Sequence, residues 1–176
     1  RVDEVGCDAF VMDTCSAHGQ AESLVEAGAL GGVATFHEHP GEDATEVGET
    51  LARLLDSGFP LAAAVDVATD TGFADYGFLV VGDGTTTLAG TGTRPPRALT
   101  AESLASGYAV RERGYPADSA GMGSRVRSML DDAWTVSAAR RRPESLDAEE
   151  FASLLRETDV PAVVDGELVW SADELA

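Results

Sequence analysis

Apolar residues along the first third of the chain come in short dense runs, separated by stretches with a helical rhythm. Residues 7–13, Cys-Asp-Ala-Phe-Val-Met-Asp, hold a block of large and β-branched side chains that predicts a buried strand ending at Asp13. Residues 16–27 carry Leu24 and Val25 on a modest apolar face, with Gly28 where a helix-terminating glycine belongs. A second strand is expected over 32–37. Asp43-Ala-Thr-Glu46 then has the spacing of a capping box. Val47, Leu51, Leu54 and Leu55 follow at i, i+4, i+7 and i+8, a helix that closes at Gly58. Pro60 releases another continuous apolar run, Leu61 to Val67, expected as a strand covered on both faces. Three strands alternating with two helices predict a parallel β-α-β-α-β start.

The rhythm changes afterwards. Residues 76–82 and 85–90 flank Asp83-Gly84, the dipeptide that suits a two-residue hairpin turn. Three helices are then expected. The first begins at Thr100, stapled by Leu99 and Leu104. The second spans residues 119–141 with Val126, Met129, Leu130 and Ala133 aligned. The third is capped by Asp147, with Glu150 three residues on and Leu146 stapled to Phe151. A second Asp-Gly hairpin, around Asp165-Gly166, closes the chain. The fold class expected is a single α/β domain over residues 1–176. Its mixed sheet has a parallel start, two antiparallel Asp-Gly hairpins and helices on its faces.

Composition leaves that expectation in place and adds a setting. The 176 residues, 44% hydrophobic, suffice for one domain that buries roughly 70% of its unfolded surface. Thirty-one acidic residues face 12 basic ones, all arginine, for a formal net charge of −19. Self-repulsion of that size disfavours a compact state unless counterions screen it, and at 1 M salt the Debye length is about 3 Å. The absence of lysine together with abundant Asp, Glu, Ala and Gly resembles haloarchaeal composition, which implies a halophilic, cytoplasmic protein. The same field repels phosphates and anionic lipids, so nucleic acid and membrane surfaces are not expected as partners, while a small-molecule ligand is. No apolar run approaches 18 residues. Cys7 and Cys15 lie eight residues apart across a predicted strand, about 26 Å, too far for a disulfide.

Candidate chemistry gathers just after the first two predicted strands, where His18, His37 and His39 all fall. Ends of parallel strands share one sheet edge, and open α/β sheets bind ligands there. His37 and His39 share a face while the chain stays extended. With Asp13, Cys15 and Asp66, expected at the end of the third strand, there are enough nitrogen, sulfur and oxygen donors for a divalent metal such as zinc. The metal ligands expected are His18, His37, His39 and Asp66, with Asp13 and Cys15 as catalytic groups. Such a centre would serve a metal-assisted hydrolase or lyase. A non-catalytic ligand-binding or regulatory domain would use the same edge. Cys15-Ser-Ala-His18, at the start of a predicted helix, supports a third, thiol-based reading, because a helix N-terminus and a nearby histidine lower a thiol's pKa.

Two known patterns touch the histidines. His37-x-His39-Pro40 is similar to the opening of the JAMM metalloprotease motif, although Thr45-Glu-Val-Gly48 stands where that family has Ser-x-x-Asp. Cupins also carry a His-x-His, within an all-β barrel that the capped helix after Pro40 does not fit. The tail from Val160 to Trp170 resembles the proline-led closing hairpin of thioredoxin-like domains, which implies a thiol redox role in which Pro161 faces Cys15.

Overall fold

A computed structural model describes residues 5–12, 14, 17–35, 44–71, 77–88, 96–115, 125–127, 134–136 and 144–175. The fold is mixed α/β, as the sequence pattern predicts, and the contacts gather into two compact units, residues 1–92 and 93–176.

The first unit runs β1 (Ala9–Met12), α1 (His18–Glu26), β2 (Gly31–Thr35), α2 (Ala44–Asp56), α3 (Leu61–Thr69) and β3 (Phe78–Gly82). Its sheet has the order β1-β2-β3. β2 pairs in parallel with β1, Phe10 opposite Gly32, and antiparallel with β3, Val33 opposite Val80. All five β2 residues are buried. Glycine at position 32 is a packing requirement: a Cβ there would stand within 2.6 Å of three ring carbons of Phe10. α2 buries Leu51, Leu54 and Leu55, the periodic face expected from its spacing. It ends in a Schellman motif: the Phe59 amide donates to the Leu54 carbonyl and Gly58 to Leu55, with Gly58 at φ +85°. The expected cap at Asp43 lies outside the described residues.

Leu61–Val67 is a helix and not the third parallel strand expected. α3 buries Leu61, Ala64 and Ala68, three to four residues apart, along with Ala63 and Val67. A helix buried on most sides shows the same continuous apolarity as a covered strand, and its consecutive alanines favour the helix. Of the hairpin expected around Asp83-Gly84, the described residues show no second strand: β3 pairs with β2, and residues 83–88 form no strand. That segment instead serves α3. The carbonyls of Gly84 and Thr86 accept from the amides of Ala62 and Leu61, satisfying two of the donors that a helix start leaves open.

The second unit contains β4 (Arg97–Leu104), β5 (Gly107–Gly114), β6 (Arg125–Arg127), β7 (Trp134–Val136), β8 (Glu144–Leu146), α4 (Ala148–Thr158), β9 (Ala162–Val164), β10 (Glu167–Val169) and a closing 3-10 turn at Ala172–Glu174. Five strands form a sheet in the order β10-β9-β4-β5-β8, and β6 and β7 make a separate antiparallel pair. The helix expected from Thr100 is thus a β4–β5 hairpin, and the helix expected over 119–141 is strand at both segments described there. α4 forms where its capping box predicts: the Asp147 side chain accepts from the amides of Glu149 and Glu150, and the Glu150 carboxylate accepts from the Asp147 amide. Phe151 and Leu155 from α4 enter a core with Leu99, Ala101, Val110, Ala162 and Val169, and the Phe151 ring lies 4.8 Å from that of Tyr108. Each of those two helix side chains contributes about 2–3 kcal/mol by burial. Cross-strand from Leu99 stands Glu112, whose side chain is 1% exposed and pairs with Arg97 at 3.1 Å. β9 and β10 pair antiparallel around Asp165-Gly166.

Candidate functional site

The parallel pair β1 and β2 defines the edge at which the candidate residues were expected. β1 ends at Met12 and β2 at Thr35, in register from Ala9 opposite Gly31 to Met12 opposite Ala34. α1 returns across the sheet by burying small side chains: Ala17 and Ala21 pack with Ala34, flanked by Phe10, Met12 and Val81. Alanine against alanine brings the first turn of α1 close to the last residues of β2.

One carbonyl holds the junction together. The Thr14 carbonyl accepts from the Ala17 amide at 3.2 Å, closing a turn, and from the Thr35 hydroxyl at 2.7 Å. Thr35 is 1% exposed. A buried hydroxyl needs a partner, and Thr35 finds it across the edge, in the segment leading into α1. Ala17, the N-cap residue of α1, offers no side-chain hydrogen bond, so no side chain at that position shields the positive end of the helix.

The predicted site residues divide accordingly. His18 is the first residue of α1, with Nε2 3.4 Å from Oε1 of Glu22 one turn later and side-chain exposures of 41% and 57%. Asp66 lies inside α3, where its carbonyl accepts from the Thr69 hydroxyl, and so is not at the end of a parallel strand. Its assignment to the metal set rested on that strand. Asp13, Cys15, His37 and His39 lie outside the described residues, although Asp13 and Cys15 are the covalent neighbours of Thr14 and His37 follows Thr35 by two residues. Among the described residues, no group of three or more His, Cys, Asp or Glu side chains could hold a metal ion. Thr14 and Thr35 were not singled out from the sequence. The available signal was a hydroxyl closing an otherwise apolar buried strand.

The opposite edge of the same sheet is structural. The Asp83 amide donates to the Leu30 carbonyl, and the Asp83 carboxylate accepts from the Thr85 hydroxyl at 2.7 Å and amide at 2.9 Å, which hold its pKa below the ordinary aspartate value. The glycines of this turn serve the chain's path into Thr86, whose carbonyl caps α3. The tail hairpin is likewise accounted for within the second unit. β9 pairs with β4 and β10 in the five-stranded sheet of that unit. Among the described residues, no helix is long and apolar enough to cross a membrane.

No protein-family model, curated protein or solved structure matches the chain.

Proposed function

We propose that the edge formed by the ends of β1 and β2 is a nucleophilic-thiol site, with Cys15 as the nucleophile and His18 as its proton acceptor. The observation that supports this reading is the hydrogen bond from the Ala17 amide to the Thr14 carbonyl, which closes the short connection from a parallel strand to the N-terminus of α1, the part of the sequence in which Cys15 stands. A thiol in such a connection is stabilised as thiolate by the helix dipole, and an adjacent imidazole takes its proton. Glu22, one turn along α1 from His18, supplies the acidic partner that orients a base. The substrate class is a carbonyl electrophile: thiolate adds to the carbonyl carbon, the leaving group departs with the proton from His18, and water hydrolyses the thioester. Dithiol redox chemistry is disfavoured because the other cysteine, Cys7, is exposed before β1, at the far end of the strand from this junction.

A second reading has its own support. The Thr35 hydroxyl bonds the Thr14 carbonyl; in sequence His37 and His39 follow Thr35 and Asp13 and Cys15 flank Thr14, residue types suited to zinc in a metal-assisted hydrolase or lyase. A salt-rich cytoplasm suits the net charge of −19 under either reading, and so does a small-molecule substrate in preference to nucleic acid.

One preparation separates the readings. In a Cys7→Ser background, purified without an affinity tag, metal content and the pH dependence of iodoacetamide alkylation are measured together. The thiol reading expects alkylation with an apparent pKa well below the ordinary ~8.5, lost on unfolding. Ordinary reactivity overturns it. Metal content below about 0.1 per chain removes the metal reading.

A further inference from the structure

We infer that Asp83-Gly84 is a spontaneous modification site, at which aspartate isomerises through a succinimide and thereby uncaps α3; the inference is independent of the thiol reading. The chain contains no asparagine and two Asp-Gly pairs, Asp83-Gly84 and Asp165-Gly166. Glycine has no side chain to obstruct attack by its amide nitrogen on the carboxyl carbon of the preceding aspartate. Ring closure forms that nitrogen–carbon bond and releases the amide proton with the carboxyl OH as water. Water then reopens the ring at either carbonyl. Opening at the main-chain carbonyl gives isoaspartate, in which the chain runs through the side-chain carbon and the former main-chain carbonyl carbon carries the free carboxylate.

The fold requires glycine in both pairs. A Cβ at Gly84 would stand 3.1 Å from the Ala62 Cβ and 3.3 Å from Val80 Cγ1, tighter than ordinary contact, and Gly166 takes φ +93°. What separates the pairs is how each carboxylate is held. Asp165 sits in a two-residue turn closed by Val164 opposite Glu167, and its oxygens are held by different groups of Ser103, Oδ1 by the amide and Oδ2 by the hydroxyl, on a strand of another hairpin. Turning that carboxyl toward the Gly166 amide breaks both bonds. The Asp83 bonds both end on Oδ1 and come from Thr85, two residues on in the same exposed turn, so they travel with it. The hydroxyl and then the amide of each partner hold both aspartate pKa values below the ordinary one, so ionisation does not distinguish the pairs. The consequence falls on α3. Its Leu61 and Ala62 amides donate to the carbonyls of Thr86 and Gly84, and the Thr86 amide donates to the Asp83 carbonyl. Isoaspartate takes that last carbonyl out of the chain and lengthens the main chain by a methylene ahead of Gly84, which draws both cap carbonyls off the helix start.

The test ages the full chain at neutral pH and high salt and takes two readouts: isoaspartate at each pair, by electron-transfer fragmentation of its peptides, and amide hydrogen exchange at Leu61 and Ala62. Isoaspartate is expected at Asp83 ahead of Asp165 by about two- to tenfold, the worth of one hydrogen bond. Ser103→Ala should raise the Asp165 rate by a similar factor and leave Asp83 unchanged. Protection at Leu61 and Ala62 should fall in step with isomerisation at Asp83. In Asp83→Glu, where ring closure would need a larger and slower-forming ring, protection should not change with age. No isoaspartate at Asp83, or Asp165 isomerising as fast, overturns the site. An unchanged Asp165 rate in Ser103→Ala overturns anchoring as the reason for the difference. Full protection of Ala62 in isomerised protein overturns the link to α3. Should Asp83→Glu not fold, the time course of the parent decides that link: protection lost in step with isoaspartate supports it, and protection lost at another pace overturns it.

Discussion

Asp165 illustrates how a single exposed side chain can join two hairpins. Its carboxylate accepts from the Ser103 hydroxyl and from the Ser103 amide at 2.9 Å, while its own amide donates to the Ala101 carbonyl. The β9–β10 turn is thereby tied to the end of β4. The Ser103 hydroxyl, and next its amide, hold the Asp165 pKa below the ordinary aspartate value. With the folded value below the unfolded one of about 3.9, the clamp's contribution is present above that pH and is lost as pH falls through the folded value. Ser103→Ala removes the larger cause. The expected result is an upward move of the Asp165 carboxyl titration, read by carbon NMR. Asp83, held by its own Thr85, should stay unchanged in the same spectra. An unmoved Asp165 would mean that the hydroxyl does not support the carboxylate.

At the scale of elements, α4 offers the cleanest prediction because its start is fully described. Asp147→Ala removes the acceptor for the Glu149 and Glu150 amides, and a lost N-cap of this kind costs about 1–2 kcal/mol. The expected outcome is a lower urea midpoint with an unchanged slope. An unchanged midpoint would show the box to be incidental to stability. This helix was legible because a local, directional device marks it. The same holds for α2, whose leucines carry the 3.6-residue rhythm to Gly58. Elements defined by distant partners were not legible. In the β4–β5 hairpin, Leu99 and Leu104 have the spacing of a staple, yet Leu99 faces Glu112 and Leu104 faces Gly107 across a two-residue loop, Ala105-Ser106. The buried Glu112 blurs the alternation that would have marked a strand, and its pairing with Arg97, which compensates its burial, is not encoded by local spacing. Misreading α3 as a strand carried Asp66 into the candidate site, because an error of element type displaces every residue assigned through it. The parallel β1–β2 edge was anticipated correctly. The hydrogen bond that organises it was not, since a Thr35-to-Thr14 contact is tertiary and no local spacing encodes it.

The charge belongs to the whole molecule and is unevenly spread. Residues 1–92 hold 16 acidic residues against two arginines, Arg1 and Arg53, whereas residues 93–176 hold 15 against ten. Self-repulsion grows steeply with net charge, so the first unit depends far more on screening than the second. The Debye length is about 10 Å at 0.1 M salt and about 3 Å at 1 M, so the first unit should be the one to open in dilute buffer. Amide exchange followed at about 0.1 M and about 2 M potassium chloride tests this. The amides of Val33 and Ala34 in β2 should lose protection at the lower salt and regain it at the higher, while those of Val110 and Glu112 in β5 change less. Equal protection of β2 at both salts would overturn the halophilic reading. Simultaneous opening of both strands would keep that reading and refute the division of labour between the units. The consequence reaches the candidate site, because the β1–β2 edge lies in the more strongly charged unit. Thiol reactivity or metal content measured in dilute buffer would then report on a partly opened chain, whereas at molar salt the Thr35–Thr14 bond and the turn it holds are in place.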